Sequence, residues 1–495
     1  MSTQTAPSHT RRMQPRSRWL TFAPSIIFVV AVILRFWQIG TKPGWEWDEP
    51  GYAHIGGQVA NHGTIQAATE YGYQVVTFLY HPPFYFWELG GWFKIFGVGI
   101  TQARALSATM SLIALILLYV LAKRVIGHKP ALVLFAFLAI DPWMVYANRT
   151  SWMENSVIVL IAVAMLLFWR ATQRATRGAF LMAGIGIGAV VIFKHTGAYL
   201  LLVVAIHYLI TRKDLQKYLV LLGGVFVTVA AYLITMSAVY GDAYWRIMNH
   251  QWLRAIGSHS VNQAGNGTIQ GLKGLIGPVF GQYRVFAATL IVMAIVGVWW
   301  LVRLVQAIKN RSLHTIQDNA FAFAWVSGGI IAFGAVSLKF PSYFEVILIA
   351  MYFYLATELT KVFRESPTYT RRRVLAAGMA IIAVLSLLGF QWRILGHHDN
   401  ALKEVSAYAA TSIPSDAVVL TEQPVGNMIK QPFCDIRAHA KRCGNGVAKW
   451  VITYKSRNYP GANDPNVRAI LANSTEVASY KGFKEELTVY RVNNQ

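Results

Sequence analysis

The residues with the clearest chemical potential are two adjacent carboxylates, Asp48 and Glu49. They lie just beyond the first hydrophobic run, residues 25–39, and are flanked by aromatic side chains and followed by Pro50 and Gly51. A positioned carboxylate can act as a general base, because it can take the proton from a hydroxyl or amine that attacks a substrate. A solvated acidic loop is the competing interpretation, and the aromatic, interfacial setting favours the catalytic one.

A second group begins at His81, which is followed by two prolines and an aromatic segment. The residue before a proline is pushed out of the helical region of backbone conformation, so the prolines predict an extended entry into the next helix. His81 would then lie at the level of lipid head groups. It could contact a phosphate or an acceptor, or be an ordinary interfacial histidine.

Arg149 and Glu154 occupy a short turn between two apolar runs. Their spacing allows either a structural ion pair or a second active-site acid assisted by an arginine. Arg35, near the end of the first apolar run, could extend its charge to the interface or hold one of the acids.

Two lysines, Lys194 and Lys339, lie at breaks between apolar runs. A lysine at a helix end can bind a phosphate, since its ammonium is a compact charge with three donors; a side chain that merely extends to the interface is the alternative. Tyr343 and Glu345 lie close to Lys339 in the sequence. Two such lysines favour a phosphate-bearing ligand.

The composition indicates a membrane protein with many spans. Of the 495 residues, 55% are hydrophobic and 14% are charged, against roughly 25% charged in soluble domains. The net charge of +23 comes from basic clusters in short segments between apolar runs. This distribution is typical of cytoplasmic loops and argues against nucleic-acid binding.

The apolar runs predict eleven transmembrane helices. They lie near residues 19–39, 103–122, 130–147, 154–169, 179–194, 196–210, 218–239, 285–305, 320–338, 341–357 and 374–392. Residues 83–97 are short and aromatic, which is typical of an interfacial helix. If that helix does not cross the membrane, all basic clusters lie on the same side of the membrane as the N-terminus, which is the cytoplasmic side according to the positive-inside rule.

The predicted organisation has three parts. Residues 1–18 form a cytoplasmic tail, and residues 19–396 form an α-helical membrane domain with long outer loops at 40–102 and 240–284. Residues 397–495 form a small extracytoplasmic α/β domain, since short β-like runs at 417–420, 449–454, 475–480 and 487–492 alternate with polar segments. Cys434 and Cys443 lie in this domain, where an oxidising compartment favours a disulfide over free thiols.

These motifs, in this order, resemble the GT-C glycosyltransferases, in the family 39-like branch of protein O-mannosyltransferases that includes the lipid A aminoarabinose transferases. The resemblance covers about residues 1–360. The acidic motif of the family's first loop is similar to Asp48-Glu49 with Tyr52-Ala53. A second sequence element of the family is similar to the segment from His81-Pro82-Pro83 to Trp87. Arg149 with Glu154, Lys194 with Gly197, and more loosely residues 339–343 match further elements.

The resemblance implies transfer of a sugar from a polyprenyl-phosphate donor, with inversion, on the extracytoplasmic face of the bilayer. Asp48 would be the base or would orient the acceptor, with Glu49 and Glu154 as further catalytic acids. The residues that would bind the donor phosphate or substrate are His81, Arg149, Lys194, Lys339 and Tyr343. No cofactor is required, although a divalent metal near Asp48 and Glu154 is compatible. Glu154 replaces the aspartate usual in aminoarabinose enzymes, and Lys339 replaces an arginine of many relatives.

A transporter or flippase of lipid-linked sugars is the main alternative from another class, and a scaffold or sensor with a partner-binding tail is a third. A transporter would favour ionisable residues at mid-membrane on broken helices. The charges cluster instead at predicted helix ends, which favours the transferase. The sequence leaves open which sugar is moved and whether the acceptor is protein, lipid or glycan.

Overall fold

The computed structural model describes most of the chain and is predominantly helical. The residues described are 19–45, 48–66, 77–255, 286–335, 343–365, 369–390, 394, 401–436, 447–455, 464–482 and 486–493. Lys339 and Cys443, both singled out above, lie outside them.

The helices run in chain order from α1 to α18. They are α1 Trp19–Phe36, α2 Glu49–His62, α3 Phe84–Phe96, α4 Ile100–Val125, α5 His128–Ile140, α6 Pro142–Asn148, α7 Glu154–Arg174, α8 Arg177–Phe193, α9 Tyr199–Thr211, α10 Leu215–Ala255, α11 Ala287–Lys309, α12 His314–Gln317, α13 Ala320–Ala335, α14 Tyr343–Glu365, α15 Tyr369–Phe390, α16 Ala401–Ser412, α17 Gln423–Gly426 and α18 Pro465–Ala472. A 3-10 turn, His195–Ala198, precedes α9.

The long apolar helices confirm a multi-pass membrane architecture. Within the described residues, five helices are long and apolar enough to cross a bilayer: α4, α7, α10, α11 and α14. The pair α5–α6 is bent by 60° at Asp141 and passes the same test as one broken span. Shorter apolar helices account for the rest, so each of the eleven segments predicted to cross coincides with a helix or with this pair.

Two helices of the first loop, α2 and α3, pack against each other and against α4. The aromatic segment predicted to lie in the interface forms α3. Its side chains Trp87, Ile95 and Phe96 are exposed although they are apolar, as expected of a helix that rests on lipid.

The C-terminal part is a small α/β domain, as the sequence predicted. The five strands described in it are β1 Val419–Thr421, β2 Phe433–Asp435, β3 Trp450–Tyr454, β4 Ser474–Lys481 and β5 Glu486–Val492, in the order β2-β1-β3-β5-β4. β1 pairs in parallel with β2 and β3, while β5 is antiparallel to β3 and β4. The sequence reading missed β2, which has three residues and carries Cys434; that cysteine is disulfide-bonded.

Helices α8 and α10 approach so closely that glycines are required at the contact. A Cβ atom at Gly184 of α8 would lie 2.0 Å from the carbonyl oxygen of Leu221, and one at Gly224 of α10 would lie 2.7 Å from that of Leu181. Such clashes cannot be relieved by a side-chain rotation, because the opposing atoms belong to the backbone. The pair therefore packs backbone to backbone, as small residues allow in membranes.

Gly184→Ala is expected to destabilise the protein, because over-packing a tight contact costs about 1–3 kcal/mol. The matched control is Gly223→Ala, since a Cβ atom there meets nothing within 4 Å. The measurement is the thermal unfolding midpoint of each variant in detergent. Equal midpoints for the two variants would contradict the close approach.

Candidate active site

Glu49 is held in a buried ion pair with Arg104 of α4. Nε and one terminal nitrogen of the guanidinium donate to the two carboxylate oxygens over 2.7 and 2.6 Å, and neither side chain is exposed. The backbone N–H of Ser151 donates to the same carboxylate over 2.8 Å. Glu49 thus joins α2 to α4 and to the turn after α6. Two-point pairing of this kind is geometrically specific.

Two arginines fix the backbone between α1 and α2. Arg104 also donates to three carbonyl oxygens, those of Ile39, Pro43 and Gly44. Arg149 donates to the carbonyl oxygens of Leu34, Trp37 and Lys42. Of the two alternatives for Arg149 and Glu154, the ion pair between them is therefore wrong, because carbonyl oxygens at the end of α1 accept from the guanidinium instead.

Asp48, unlike its neighbour, is exposed at the N-terminus of α2. It is one turn from Tyr52, whose pKa is raised well above its usual value, chiefly by burial and next by the negative charge of Asp48. The Tyr52 hydroxyl lies 3.5 Å from Nε2 of His81, at the limit of a hydrogen bond. These contacts bring the acidic motif of the first loop to the histidine motif before α3.

Glu154, at the start of α7, pairs with Lys194, which follows α8. Both side chains are almost completely buried. The Lys194 ammonium also lies 5.4 Å from the centre of the Tyr343 ring, which is within the range of a cation–π contact. Three predicted site residues from separate parts of the sequence thus meet at one end of the bundle.

A cavity of about 310 Å³ opens beside this group. Its lining includes the polar side chains of Lys194, His81 and Tyr343 and those of His195, Thr196 and Gln251, and the rest is mostly apolar. Apolar residues lining it include Met248, Trp252, Ala332, Phe333, Val346 and Ile347. The segment of α10 that follows the kink at Gly241 supplies the side of the cavity that contains Met248 and Trp252. A cavity with this lining suits a ligand with a charged head and an apolar chain.

Arg35 is fully buried and does neither of the two things predicted for it. It donates to the side-chain oxygens of Ser111 and Asn148 and to the carbonyl oxygens of Ala31, Leu138 and Ala139. Burial behind α4 and α5 prevents it from reaching the interface. Asn148 in turn donates to Asn155, so a polar network lies behind the Glu154–Lys194 pair.

The small C-terminal domain contacts the acidic motif directly. Helix α17 packs on α2, and Asn427 lies so close that a Cβ atom at Gly51 would be 3.3 Å from its Nδ2. Trp45 and Met428 contact the hydrophobic clusters of both domains. The surroundings of Asp48 therefore include residues from both domains.

Two site residues were missed by sequence reasoning. Arg104 lies at the start of an apolar span, and an arginine in such a span was the signal that could have found it. Glu345 was noted only as lying close to Lys339 in the sequence. Across the described residues, no group of three or more His, Cys, Asp or Glu side chains is placed to hold a metal ion.

Comparison with known proteins gives a sequence match for part of the helical region and matches in fold for most of the chain. Residues 80–240 match the sequence model of the family described as dolichyl-phosphate-mannose-protein mannosyltransferase. An uncharacterized protein of Aquifex aeolicus (strain VF5) is 26% identical over 196 residues. That match spans 39% of this chain and 39% of the Aquifex protein.

Two solved structures are similar over most of the chain. ArnT from Cupriavidus metallidurans, bound to undecaprenyl phosphate, aligns with a TM-score of 0.66 and 15% identity, over 96% of this chain and 98% of ArnT. The oligosaccharyltransferase AglB from Archaeoglobus fulgidus, in complex with an inhibitory peptide and a dolichol-phosphate, aligns with a TM-score of 0.55 and 12% identity, over 88% and 69%. These findings confirm the predicted resemblance: the chain has the fold of the GT-C glycosyltransferases.

Proposed function

We propose that this protein is a membrane glycosyltransferase that moves a sugar from a polyprenyl-phosphate donor to an acceptor hydroxyl or amine, with inversion at the anomeric carbon. The observation that carries the proposal is the cavity in which Lys194, His81 and Tyr343 meet a lining that is otherwise mostly apolar. A polyprenyl phosphate has the same division, with one anionic group on a long hydrocarbon chain. That ArnT was crystallised with undecaprenyl phosphate supports this choice.

Lys194 is the residue to which we assign the donor phosphate. Its ammonium has three donors, of which the described pair with Glu154 uses one. As the glycosidic bond breaks, the phosphate gains negative charge, and a fixed cation in a water-poor site stabilises that charge strongly. Lys339, although outside the described residues, keeps the second phosphate-binding role predicted for it.

Asp48 is the residue to which we assign the acceptor. It is exposed, whereas both carboxylate oxygens of Glu49 accept hydrogen bonds from Arg104. We therefore assign Glu49 the role of positioning α2 rather than of catalysis, and Arg149 a structural role. The chemistry would take place on the extracytoplasmic face, with the N-terminus cytoplasmic, as the basic clusters predict.

The transporter alternative has one feature in its favour. The bent pair α5–α6 carries a buried ionisable residue, Asp141, at its break. Asp141 is, however, bonded to the hydroxyls of Thr289 and Tyr352 and to the backbone of Met144, and it does not line the cavity. A saturated, internal carboxylate of this kind favours a structural role, so the transferase is preferred.

Asp48→Asn is expected to lower kcat by about 100- to 10,000-fold, the usual contribution of a general base. The measurement is transfer of radiolabelled sugar from a panel of short polyprenyl-phosphate donors in detergent, with release of the carrier phosphate followed in parallel. Asp242→Asn is the control, because Asp242 is also an exposed aspartate in the part of α10 beyond its kink. Full activity of the Asp48 variant would remove its catalytic assignment. A wild-type protein that binds every donor but transfers none would favour the transporter.

Glu49→Gln is expected to act on folding, since removing one partner of a buried ion pair costs about 3–5 kcal/mol. Its thermal midpoint in detergent should fall clearly, whereas Asp48→Asn should leave the midpoint unchanged. Glu486→Gln, which disrupts an exposed ion pair with Lys455 in the C-terminal domain, provides the comparison for a surface pair. A Glu49→Gln variant that is stable but inactive would indicate that Glu49 has a catalytic role.

Lys194→Met is expected to weaken binding of polyprenyl phosphate by about 10- to 100-fold, the worth of one hydrogen bond to a charged group. Because the substitution strands Glu154, the double variant Lys194→Met/Glu154→Gln is tested beside it. Lys213→Met serves as the control, since Lys213 is an exposed lysine at the far end of α9. Affinity is measured by titration with the lipid in detergent. Unchanged affinity in both the single Lys194 variant and the double variant would show that the phosphate binds elsewhere.

A further inference from the structure

Three consecutive residues, Lys194, His195 and Thr196, line the cavity. Lys194 follows the last residue of α8, and the other two begin the 3-10 turn that precedes α9. A 3-10 turn has three residues per turn, so its successive side chains point about 120° apart. The cavity therefore extends around the end of α8 and meets the turn from more than one side.

The turn is fixed against α8 by its backbone. The N–H of Lys194 donates to the carbonyl oxygen of Val190 over 3.0 Å, and the N–H of Gly197 donates to that of Lys194 over 2.8 Å. A Cβ atom at Gly197 would lie 2.9 Å from both the carbonyl carbon and the carbonyl oxygen of Val190. Because those atoms belong to the backbone, the close approach requires glycine. The side chains of the turn are therefore held at fixed positions beside the Lys194 ammonium.

His195 and Thr196 form no hydrogen bond with any residue that the structure describes. Elsewhere in the helical domain, a threonine hydroxyl commonly donates to a backbone carbonyl one turn earlier, as those of Thr109, Thr211 and Thr228 do. Both side chains of the turn are only partly buried, and both line the cavity. Their hydrogen-bonding groups can therefore be used by a ligand.

Gln251 adds a side-chain amide to the same lining. It lies on the segment of α10 beyond the kink at Gly241, and its amide nitrogen donates to the carbonyl oxygen of Tyr80 over 3.3 Å. A side-chain amide, a threonine hydroxyl and a neutral imidazole each offer both a donor and an acceptor. The hydroxyl groups of a sugar have the same two capacities, so these side chains suit a sugar.

The other parts of a polyprenyl-phosphate donor have different partners in the cavity. The apolar chain matches Ala332 and Phe333 of α13 and Val346 and Ile347 of α14. The phosphate matches the Lys194 ammonium. The sugar is bonded directly to that phosphate, so it lies immediately beside the ammonium, where the next two residues of the chain are held.

Resting on the proposed function above, we propose that His195 and Thr196 bind hydroxyl groups of the donor sugar and thereby determine which sugar is transferred, with Gln251 as a further partner. A pocket built to hydrogen-bond a hydroxyl discriminates strongly against a ligand that lacks it, because the polar groups of the pocket are then left unpaired. Two such residues beside the phosphate would select the donor by the arrangement of its hydroxyls.

The test compares two ligands by titration in detergent: a short polyprenyl phosphate, and the sugar-bearing donor that the wild type binds most tightly. Thr196→Val replaces the hydroxyl by a methyl group, and His195→Phe keeps a ring without nitrogens. Each variant is expected to bind the sugar-bearing donor about 3- to 10-fold more weakly, the worth of one neutral hydrogen bond. Affinity for the sugar-free phosphate should not change. Thr196→Ser, which keeps the hydroxyl, should retain the wild-type affinity for both ligands.

Deoxy analogues of the donor identify the hydroxyl that is bound. Removing the hydroxyl that contacts Thr196 should weaken binding to the wild type but should not weaken binding to Thr196→Val further, since both changes remove the same hydrogen bond. His62→Phe and Thr411→Val are the matched controls, because both residues are exposed and neither lines the cavity. Neither control should alter the affinity for either ligand. Thermal midpoints in detergent show whether each variant is folded.

Equal losses of affinity for the two ligands would overturn the proposal, because the two residues would then act on the phosphate or on its chain. Unchanged affinity for the sugar-bearing donor in both His195→Phe and Thr196→Val would overturn it as well. These comparisons require binding alone. A wild type that transfers sugar from no donor of the panel would instead refute the proposed function.

Discussion

The arrangement of the site depends on the ion pair between Glu49 and Arg104. This pair, with the carbonyls that Arg104 also binds, holds the segment between α1 and α2 against the start of α4. Asp48 directly precedes Glu49 in the chain, so the ion pair of Glu49 also fixes the backbone position of Asp48. A loop alone would leave the carboxylate that we propose as the base mobile, and catalysis needs the reacting groups held in a productive geometry. The acidic dipeptide thus divides two tasks between chemically similar side chains.

A second constraint is that the interior has little water with which to satisfy polar groups. Two buried arginines are satisfied by backbone carbonyl oxygens. Arg149 donates to carbonyls at the end of α1, and Arg35 donates to carbonyls near the end of α5. Lys194 has a different environment, with one acid, one aromatic face and an open cavity. A single lysine with a replaceable neighbour can exchange partners at low cost, which a multiply bonded arginine cannot. This difference explains why a lysine rather than an arginine is present at the cavity.

Much of the fold could be predicted from the sequence, because span length and charge bias act locally along the chain. The helix α3 could be predicted from its length and aromatic residues, and the C-terminal domain from the change in composition. The individual site residues His81, Lys194 and Tyr343 were also evident, since polar groups at helix ends are conspicuous among apolar residues. Their predicted roles remain to be tested by experiment.

The partners of those residues could not be predicted. Helical periodicity shows which side chains share a face, but not which neighbouring helix that face meets. For that reason Glu154 was matched with Arg149 in the same turn rather than with Lys194 from the next helix. Arg104 was hidden because a charge inside an apolar span carries no indication of its partner. That Glu345 is buried without a hydrogen bond to any described residue is likewise a property of the packed bundle.

The contact between Asn427 and Gly51 has a consequence for how the protein is made. The acidic motif is synthesised before most of the helical bundle, and the residues of α17 that pack on it are synthesised after that bundle. Domains generally form in the order in which they leave the ribosome. The surroundings of Asp48 are therefore completed last, after the helical bundle has been inserted and the small domain has folded. A nascent chain would therefore have the cavity beside Lys194 before it had the complete surroundings of Asp48.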